Sequence, residues 1–222
     1  MLSRRSLLAA SFWPGLPPAE KIVLRLPEAK IVSADWSGDI DAPDQPGSLW
    51  KPFLAAAYAG PAPRFHCDGK QCWLGRRHGW RDMPGALAQS CNQWFHQLYK
   101  TLPQPVKLLN LPDPPNEDWP NWTCSPKQLI QAYAELLARR ADYPLVIAGL
   151  RQSAEKGTAK SLGRNWLAKT GTGPSKYHSG DGWVAAANPA DNPTQLILYR
   201  QRGTTGAQAA IALARSLANA PR

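Results

Sequence analysis

The chain has 222 residues, of which 43% are hydrophobic and 19% charged. That is enough for one packed core, and no apolar run approaches the roughly 18 residues of a membrane-spanning helix. The net charge of +10 includes Arg4 and Arg5, and the remaining +8 is spread without a dense basic run. This argues against a nucleic-acid partner and leaves a weak attraction to anionic envelope polymers or lipid headgroups.

In chain order, Met1-Leu2-Ser3-Arg4-Arg5-Ser6-Leu7-Leu8-Ala9-Ala10 reads as a twin-arginine-like export signal over residues 1–19. Such a signal predicts a periplasmic or other extracytoplasmic address, with residues 20–222 forming a single domain. Two strands are predicted at Lys21–Leu26 and Lys30–Trp36. Pro46-Gly47 then marks a turn. The Ala-rich stretch after Lys51 predicts a buried helix with Ser48 in its first turn. Ser48 and Lys51 therefore share one helix face, where the positive field of the N-terminus lowers the pKa of a buried lysine and stabilises an oxyanion. An N-cap serine beside a surface lysine is the plainer alternative. A second S-x-x-K, Ser153 to Lys156, lies in a polar run ending at Gly157 and reads as a solvated helix end.

The four cysteines follow from the export signal. Cys67-Asp68-Gly69-Lys70-Gln71-Cys72 brackets a glycine turn, and in an oxidising compartment a Cys67–Cys72 disulfide is the preferred reading. A zinc site from Cys67, Cys72, His66 and His78 is the rival, without the usual closely spaced cysteine pairs. Cys91 should pack inward, and Cys124 either pairs with it or stays free. Most of the ten tryptophans should pack in the core or at its rim, with one or two lining a groove.

Ser90-Cys91-Asn92 reads as a short polar turn whose alternate residues face the Ser48–Lys51 pair. Residues 102–126 are rich in Pro, Asp and Asn and predict a long loop of functional kind. A helix is predicted from Pro126 to Arg140. Asn165–Gly173 reads as a strand whose glycines admit a ligand backbone. Two further strands, Asp181–Ala187 and Thr194–Arg200, and a helix from Ala207 to Leu217 complete the chain. Strands at both ends with helices between them make an α+β layer fold.

Taken together, Ser48-Leu49-Trp50-Lys51, Ser90-Cys91-Asn92 and Lys169-Thr170-Gly171 are the S-x-x-K, S-x-N and K-T-G set of penicillin-recognising serine enzymes. The stretch from His78-Gly79 through Ala86-Leu87 and Ser90-Cys91-Asn92 to Phe95 strengthens the match, and the chain resembles penicillin-binding protein transpeptidases of the elongation type. That resemblance implies an antiparallel sheet of about five strands flanked by helices, with an all-helical subdomain. It also implies acyl transfer on D-Ala-D-Ala-type peptidoglycan peptides by a D,D-transpeptidase or D,D-carboxypeptidase, with β-lactams binding as mimics and no cofactor or metal. Cell-wall synthesis proteins are the implied partners.

The site roles follow from the same resemblance. Ser48 would be the nucleophile and Lys51 its base, activated by burial and the nearby Lys169 charge. Ser90 would relay the proton and Asn92 orient the acyl chain. Lys169 and Thr170 would bind the substrate carboxylate, with Gly171 leaving room and the N–H groups of Thr172 and Ser48 forming the oxyanion hole. Glu117, four residues before Asn121, has the spacing of the deacylating glutamate of class A β-lactamases. A β-lactamase is therefore the runner-up, and a non-catalytic penicillin-binding or sensor module the third reading. The stretches between the three motifs are shorter than in typical members, which describes a pared-down catalytic module.

Overall fold

The computed structural model describes residues 18–73, 75–113, 121–176 and 180–219. Five strands, β1 (Glu20–Arg25), β2 (Lys30–Asp35), β5 (Leu167–Gly173), β6 (Asp181–Asn188) and β7 (Gln195–Arg202), form one antiparallel sheet in the order β2-β1-β7-β6-β5. The predicted strands lie within a residue or two of these bounds, so the expected α+β sheet is present.

Strand alternation explains how the sheet carries helices on both faces. In the β1–β7 ladder Ile22 pairs with Leu198 and Leu24 with Leu196, and all four enter the larger apolar core. Their neighbours Val23, Ile197 and Tyr199 enter a second, smaller core on the other face. The second core is closed by α6 (Gly206–Ala218) through Ala209, Ala210 and Leu213. β6 is buried over all but its last residue, as a central strand covered on both faces must be.

Between β2 and β5 the chain forms a 3₁₀ turn (Gly47–Trp50), α1 (Lys51–Ala56), α2 (Met83–Ala88), α3 (Asn92–Thr101), α4 (Pro126–Ala138) and α5 (Pro144–Lys156). α4 and α6 each begin with a reciprocal capping box, Ser125 with Gln128 and Thr205 with Gln208. Two expectations need correction. The middle of the chain is not all-helical: β3 (Phe65–Cys67) pairs with β4 (Gly79–Arg81) in a separate two-stranded sheet, strands too short to carry a periodic signal. Ser153 is fully buried, although Glu155 and Lys156 at the end of α5 are exposed. Its hydroxyl has no partner among the described residues, so this second S-x-x-K is not a solvated pair.

One buried ionic cluster joins the sheet to the segment that leads into Ser48. The Arg200 guanidinium lies 4.3 Å from the Trp36 ring and 5.0 Å from the Trp183 ring. It donates to the carboxylates of Glu20 and Asp44, and Arg202 adds a contact to Glu20 at 3.6 Å. Asp44 exchanges two backbone hydrogen bonds with Cys124, at 3.0 and 3.1 Å. Burial alone would raise the Glu20 pKa. Hydrogen bonds from Arg200 and Ser37, with the Arg200 and Arg202 charges, outweigh it and hold the carboxyl below its ordinary 4.5.

A carboxyl depressed in the folded chain contributes stability that is complete above its ordinary pKa and disappears as pH falls through the folded value. The urea midpoint should therefore fall as pH drops below 4.5, and Glu20→Gln should flatten that part of the profile. Arg200→Met leaves the buried Glu20 with only the longer Arg202 contact and should cost about 3–5 kcal/mol at neutral pH.

Candidate active site

The nucleophile candidate sits where the sequence places it, at the start of the first helical segment, but in its 3₁₀ turn rather than in α1 proper. Gly47 adopts φ +58°, and no side chain caps the turn. Ser48 is thus not an N-cap residue, and it remains partly exposed. From α4, the Tyr133 hydroxyl donates to the Leu49 carbonyl at 2.6 Å and pins the turn from below.

Glycines bring this turn against β5. A Cβ on Gly171 would lie 2.1 Å from the Pro46 carbonyl oxygen, and one on Gly173 would lie 1.9 Å from that of Gln45. A Cβ on Gly47 would lie 2.3 Å from the Thr172 carbonyl oxygen. Only glycine permits backbones this close. β5 is an edge strand of the sheet, yet its Lys169 is fully buried.

Lys51 is also fully buried. Its Nζ donates to the Ser90 carbonyl at 2.8 Å and to Asn92 Oδ1 at 2.5 Å, and lies 3.4 Å from Ser90 Oγ. Lys169 Nζ donates to Ser90 Oγ at 2.8 Å and to the Thr170 carbonyl at 2.6 Å. Two lysines from distant segments therefore meet at one hydroxyl. Burial lowers the Lys51 pKa to about 7, against a smaller opposing pull from the Cys91 and Cys72 thiols. Burial also holds the Lys169 pKa well below its ordinary 10.5, and there the Lys51 charge adds to it. Desolvation is the main cause at both amines.

The Ser90 turn has its own signature. Ser90 adopts φ +52°, its N–H donates to the Leu87 carbonyl at 3.1 Å, and the Cys91 N–H donates to that of Ala86 at 3.0 Å. That pair of bonds is a Schellman motif closing α2, in which glycine normally takes the left-handed position. Here a serine takes it. Its Cβ costs about 1 kcal/mol in that conformation, and the hydroxyl gains a position between two amines.

A cavity of about 190 Å³ opens over these groups. Ser48, Ser90, Asn92, Thr170, Gly171 and Thr172 line it, so six of the eight sequence-derived site residues face one space. Lys51 and Lys169 lie behind its wall. The Lys169 ammonium is turned to Ser90 and Thr170, and Thr170 and Thr172 line the cavity. Sequence reasoning missed Thr158, whose Oγ1 lies 2.6 Å from that of Thr170, and the Thr205-Gly206 start of α6. It also did not single out Trp50 and Trp73 among the tryptophans as the ones on this wall. Glu117 lies outside the described residues.

The cysteines differ from expectation. Cys67 and Cys72 are free thiols rather than a disulfide, and Cys91 and Cys124 are also free. Cys67, Cys72, His78 and Cys91 gather with one ligand atom each within 4.8 Å of one another. His66 takes no part: on β3 it alternates with the buried Cys67, points outward and packs against Trp80.

Against known proteins, no family model matches the sequence, and no curated protein does. Solved structures do match. The D,D-transpeptidase domain of a peptidoglycan glycosyltransferase from Eggerthella lenta superposes with a TM-score of 0.72 at 14% identity, over 88% of this chain and 76% of that one. The transpeptidase domain of the FtsI4 D,D-transpeptidase from Legionella pneumophila gives 0.60 at 17% identity, over 90% and 87%. Penicillin-binding protein PBP2 from Helicobacter pylori, solved in a complex with MreC, gives 0.69 at 15%, over 89% and 58%. The fold is that of a penicillin-binding-protein transpeptidase domain. In this transpeptidase fold the five-stranded sheet and its flanking helices are the frame on which the Ser48, Ser90 and Lys169 segments meet.

The Ser90 turn gives a direct check on strain. Ser90→Gly and Ser90→Ala both remove the hydroxyl, but only glycine relieves the left-handed Cβ. Ser90→Gly should be the more stable of the two by about 1 kcal/mol in urea unfolding.

Proposed function

We propose that the protein is a serine acyl-transferase that acts on D-Ala-D-Ala-type peptidoglycan peptides and is acylated by penicillin at Ser48. The observation that carries this reading is the convergence at Ser90, where Lys51 and Lys169 share one hydroxyl beside the cavity that Ser48 lines. A buried amine with a pKa of about 7 is a competent proton acceptor near neutral pH, which an exposed lysine is not.

In the proposed reaction Ser48 Oγ attacks the carbonyl carbon of the penultimate D-alanine, and its proton passes to Lys51. The N–H groups of Ser48 and Thr172 hold the developing oxyanion. Ser90 Oγ hands a proton to the departing amine and is replenished from the lysines behind it, so that D-alanine leaves and an ester to Ser48 remains. Asn92, whose Oδ1 accepts from Lys51, fixes that amine and offers its amide N–H₂ to the acyl chain. An amine or water then attacks the ester. Thr170 and Thr172 receive the terminal carboxylate. In penicillin the broken amide lies in a ring, so the leaving amine stays tethered and resolution is slow.

Transpeptidation and carboxypeptidation differ only in the acceptor. Either would place the protein outside the cytoplasm, where its substrate is, in keeping with the export signal. Among the described residues no helix is long and apolar enough to cross a membrane. The Helicobacter pylori neighbour was solved with MreC, and a cell-wall synthesis protein is the partner class we propose here.

A fluorescent penicillin tests the reading. Stable labelling of the full chain, abolished in Ser48→Ala and slowed by about 10²–10⁴-fold in Lys51→Met, is the expected result. Lys169→Met should lose labelling while its thermal midpoint stays unchanged or rises, because a costly buried amine is exchanged for an apolar side chain of similar length. Rapid loss of the label would instead indicate a β-lactamase. Absence of label from the folded, unsubstituted chain would overturn the proposal in favour of a binding module.

A further inference from the structure

A second hollow, a groove of about 510 Å³, opens between β4, α2 and the end of α5. Three cations, Arg64, Arg81 and Lys156, line it beside the amides of Gln89 and Gln152 and the indole of Trp80. The cations come from separate stretches of the chain, which is why no basic run in the sequence announces them. Among the described residues no carboxylate pairs with any of the three. Asp82, the one acid among the described lining residues, accepts the Gly85 N–H at 2.9 Å as the N-cap of α2. The side-chain amides of Gln89 and Gln152 bond no described residue. Like charges gathered in one groove repel one another, and an anion placed among them relieves that repulsion.

Local structure holds the indole out. Trp80 is the middle residue of β4, so strand alternation turns it away from its half-buried neighbours Gly79 and Arg81, and it is 62% exposed. His66 pairs with it across the ladder, and the two rings pack at 5.5 Å between centroids. Arg81 Nη1 donates to the Trp80 carbonyl at 3.2 Å, which keeps that guanidinium beside β4. A single exposed indole is ordinary surface. An indole sharing a groove with three cations and two free amides suits a ligand that has an apolar face, polar edges and negative charge. A carboxylated pyranose has all three, whereas an acidic peptide lacks the rigid flat face. We propose that this groove binds an acidic glycan, with a sugar ring laid on Trp80 and its carboxylates on Arg64, Arg81 and Lys156. Gln89 and Gln152 then meet the hydroxyl and acetamido groups at the ring edge.

The groove backs onto the catalytic cavity. A Cβ on Gly157 would lie 2.2 Å from the Ala88 carbonyl oxygen, and the Thr158 N–H donates to that same oxygen at 3.0 Å. The ends of α2 and α5 are thus pressed together. Gln89 and Lys156 lie on the groove side of this seam, while Ser90 and Thr158 line the cavity. Consecutive Cα atoms are about 3.8 Å apart, so a strand in the groove lies one or two residues from Ser90. In the glycan of peptidoglycan, lactyl carboxylates are free only on sugars whose peptide has been removed. For the proposed reaction, on which this step rests, a bare stretch held in the groove keeps a peptide on a neighbouring sugar near Ser48 and raises its local concentration.

Binding is read without acylation, in the full chain and in its Ser48→Ala variant, so it fails or succeeds separately from the proposed activity. The probe is a peptide-free tetramer of alternating N-acetylglucosamine and N-acetylmuramic acid, titrated by calorimetry. The N-acetylglucosamine tetramer supplies similar rings without carboxylates, and tetraglutamate supplies carboxylates without rings. The acidic tetramer should bind both chains, shield Trp80 from hydroxyl-radical oxidation and leave Trp73, on the wall of the catalytic cavity, open to it. Trp80→Ala should weaken binding about tenfold, while Trp80→Phe keeps most of it. Arg81→Gln and Lys156→Gln should each weaken it about threefold and flatten its dependence on salt. No binding of the acidic tetramer to the folded chain, or unchanged binding in Trp80→Ala, would overturn the proposal. So would equally tight binding of the neutral tetramer or of tetraglutamate, or protection of Trp73 in place of Trp80.

Discussion

The structure turns on one hydroxyl held between two buried amines. Ser90 Oγ is 2.8 Å from Lys169 Nζ and 3.4 Å from Lys51 Nζ, and both lysines are sealed from solvent. Removing an ammonium from water is expensive, and two of them close together are more expensive still, since each disfavours the other's proton. The chain accepts this by giving each amine a backbone carbonyl, Ser90 for Lys51 and Thr170 for Lys169. The result is a pair of lysines whose protons are loosely held. That is a poor choice for stability and a good one for moving a proton to and from a neighbouring hydroxyl.

Holding this arrangement requires precise backbone more than side-chain packing. The Ser48 turn and β5 approach through glycines on both partners, at separations no Cβ would allow. The approach is aligned from outside by Arg200, packed over the adjoining Trp36 and Trp183 rings, which fixes Asp44 and with it the segment running into Ser48. Asp44 is held in turn by its bridge to Cys124, next to the Ser125 cap of α4. α4 then returns Tyr133 to the Leu49 carbonyl. The nucleophile's position is thus fixed by a closed circuit through the sheet, the ionic cluster and one helix.

Much of this was legible in the sequence, for reasons that can be named. The strands near the ends carry alternating or continuous apolar runs, and those elements, with α4 and α6, lie within a residue or two of the predicted bounds. The three motif segments were legible as chemistry because short-range spacing puts Ser48 beside Lys51 and Ser90 beside Asn92. Long-range facts were not. Whether Lys169 faces the substrate or a buried hydroxyl depends on what covers an edge strand, and local sequence does not specify that. The β3–β4 pair is three residues on each side, too short for any period to show. The Schellman ending of α2 was hidden because its usual glycine is a serine. For the cysteines, the local spacing of Cys67 and Cys72 suggested a loop disulfide. The decisive neighbour, Cys91, comes from another element and had already been read as part of a catalytic motif.

That last misreading points to how the two features work together. A serine in the left-handed position of a helix ending is less favourable than glycine, so the turn has a standing tendency to relax toward an ordinary conformation and withdraw the hydroxyl. Two restraints act against it. The lysines bond Ser90 from one side, but their own burial is costly. Cys91, the next residue, is drawn the other way into the Cys67, Cys72 and His78 cluster, anchored on β3, β4 and the loop clamped to α3. A restraint on the adjacent backbone opposes relaxation without competing for the hydroxyl. It leaves Ser90 Oγ free to exchange protons while the residue that carries it is held still, a division of labour that neither the amines nor apolar packing could supply alone.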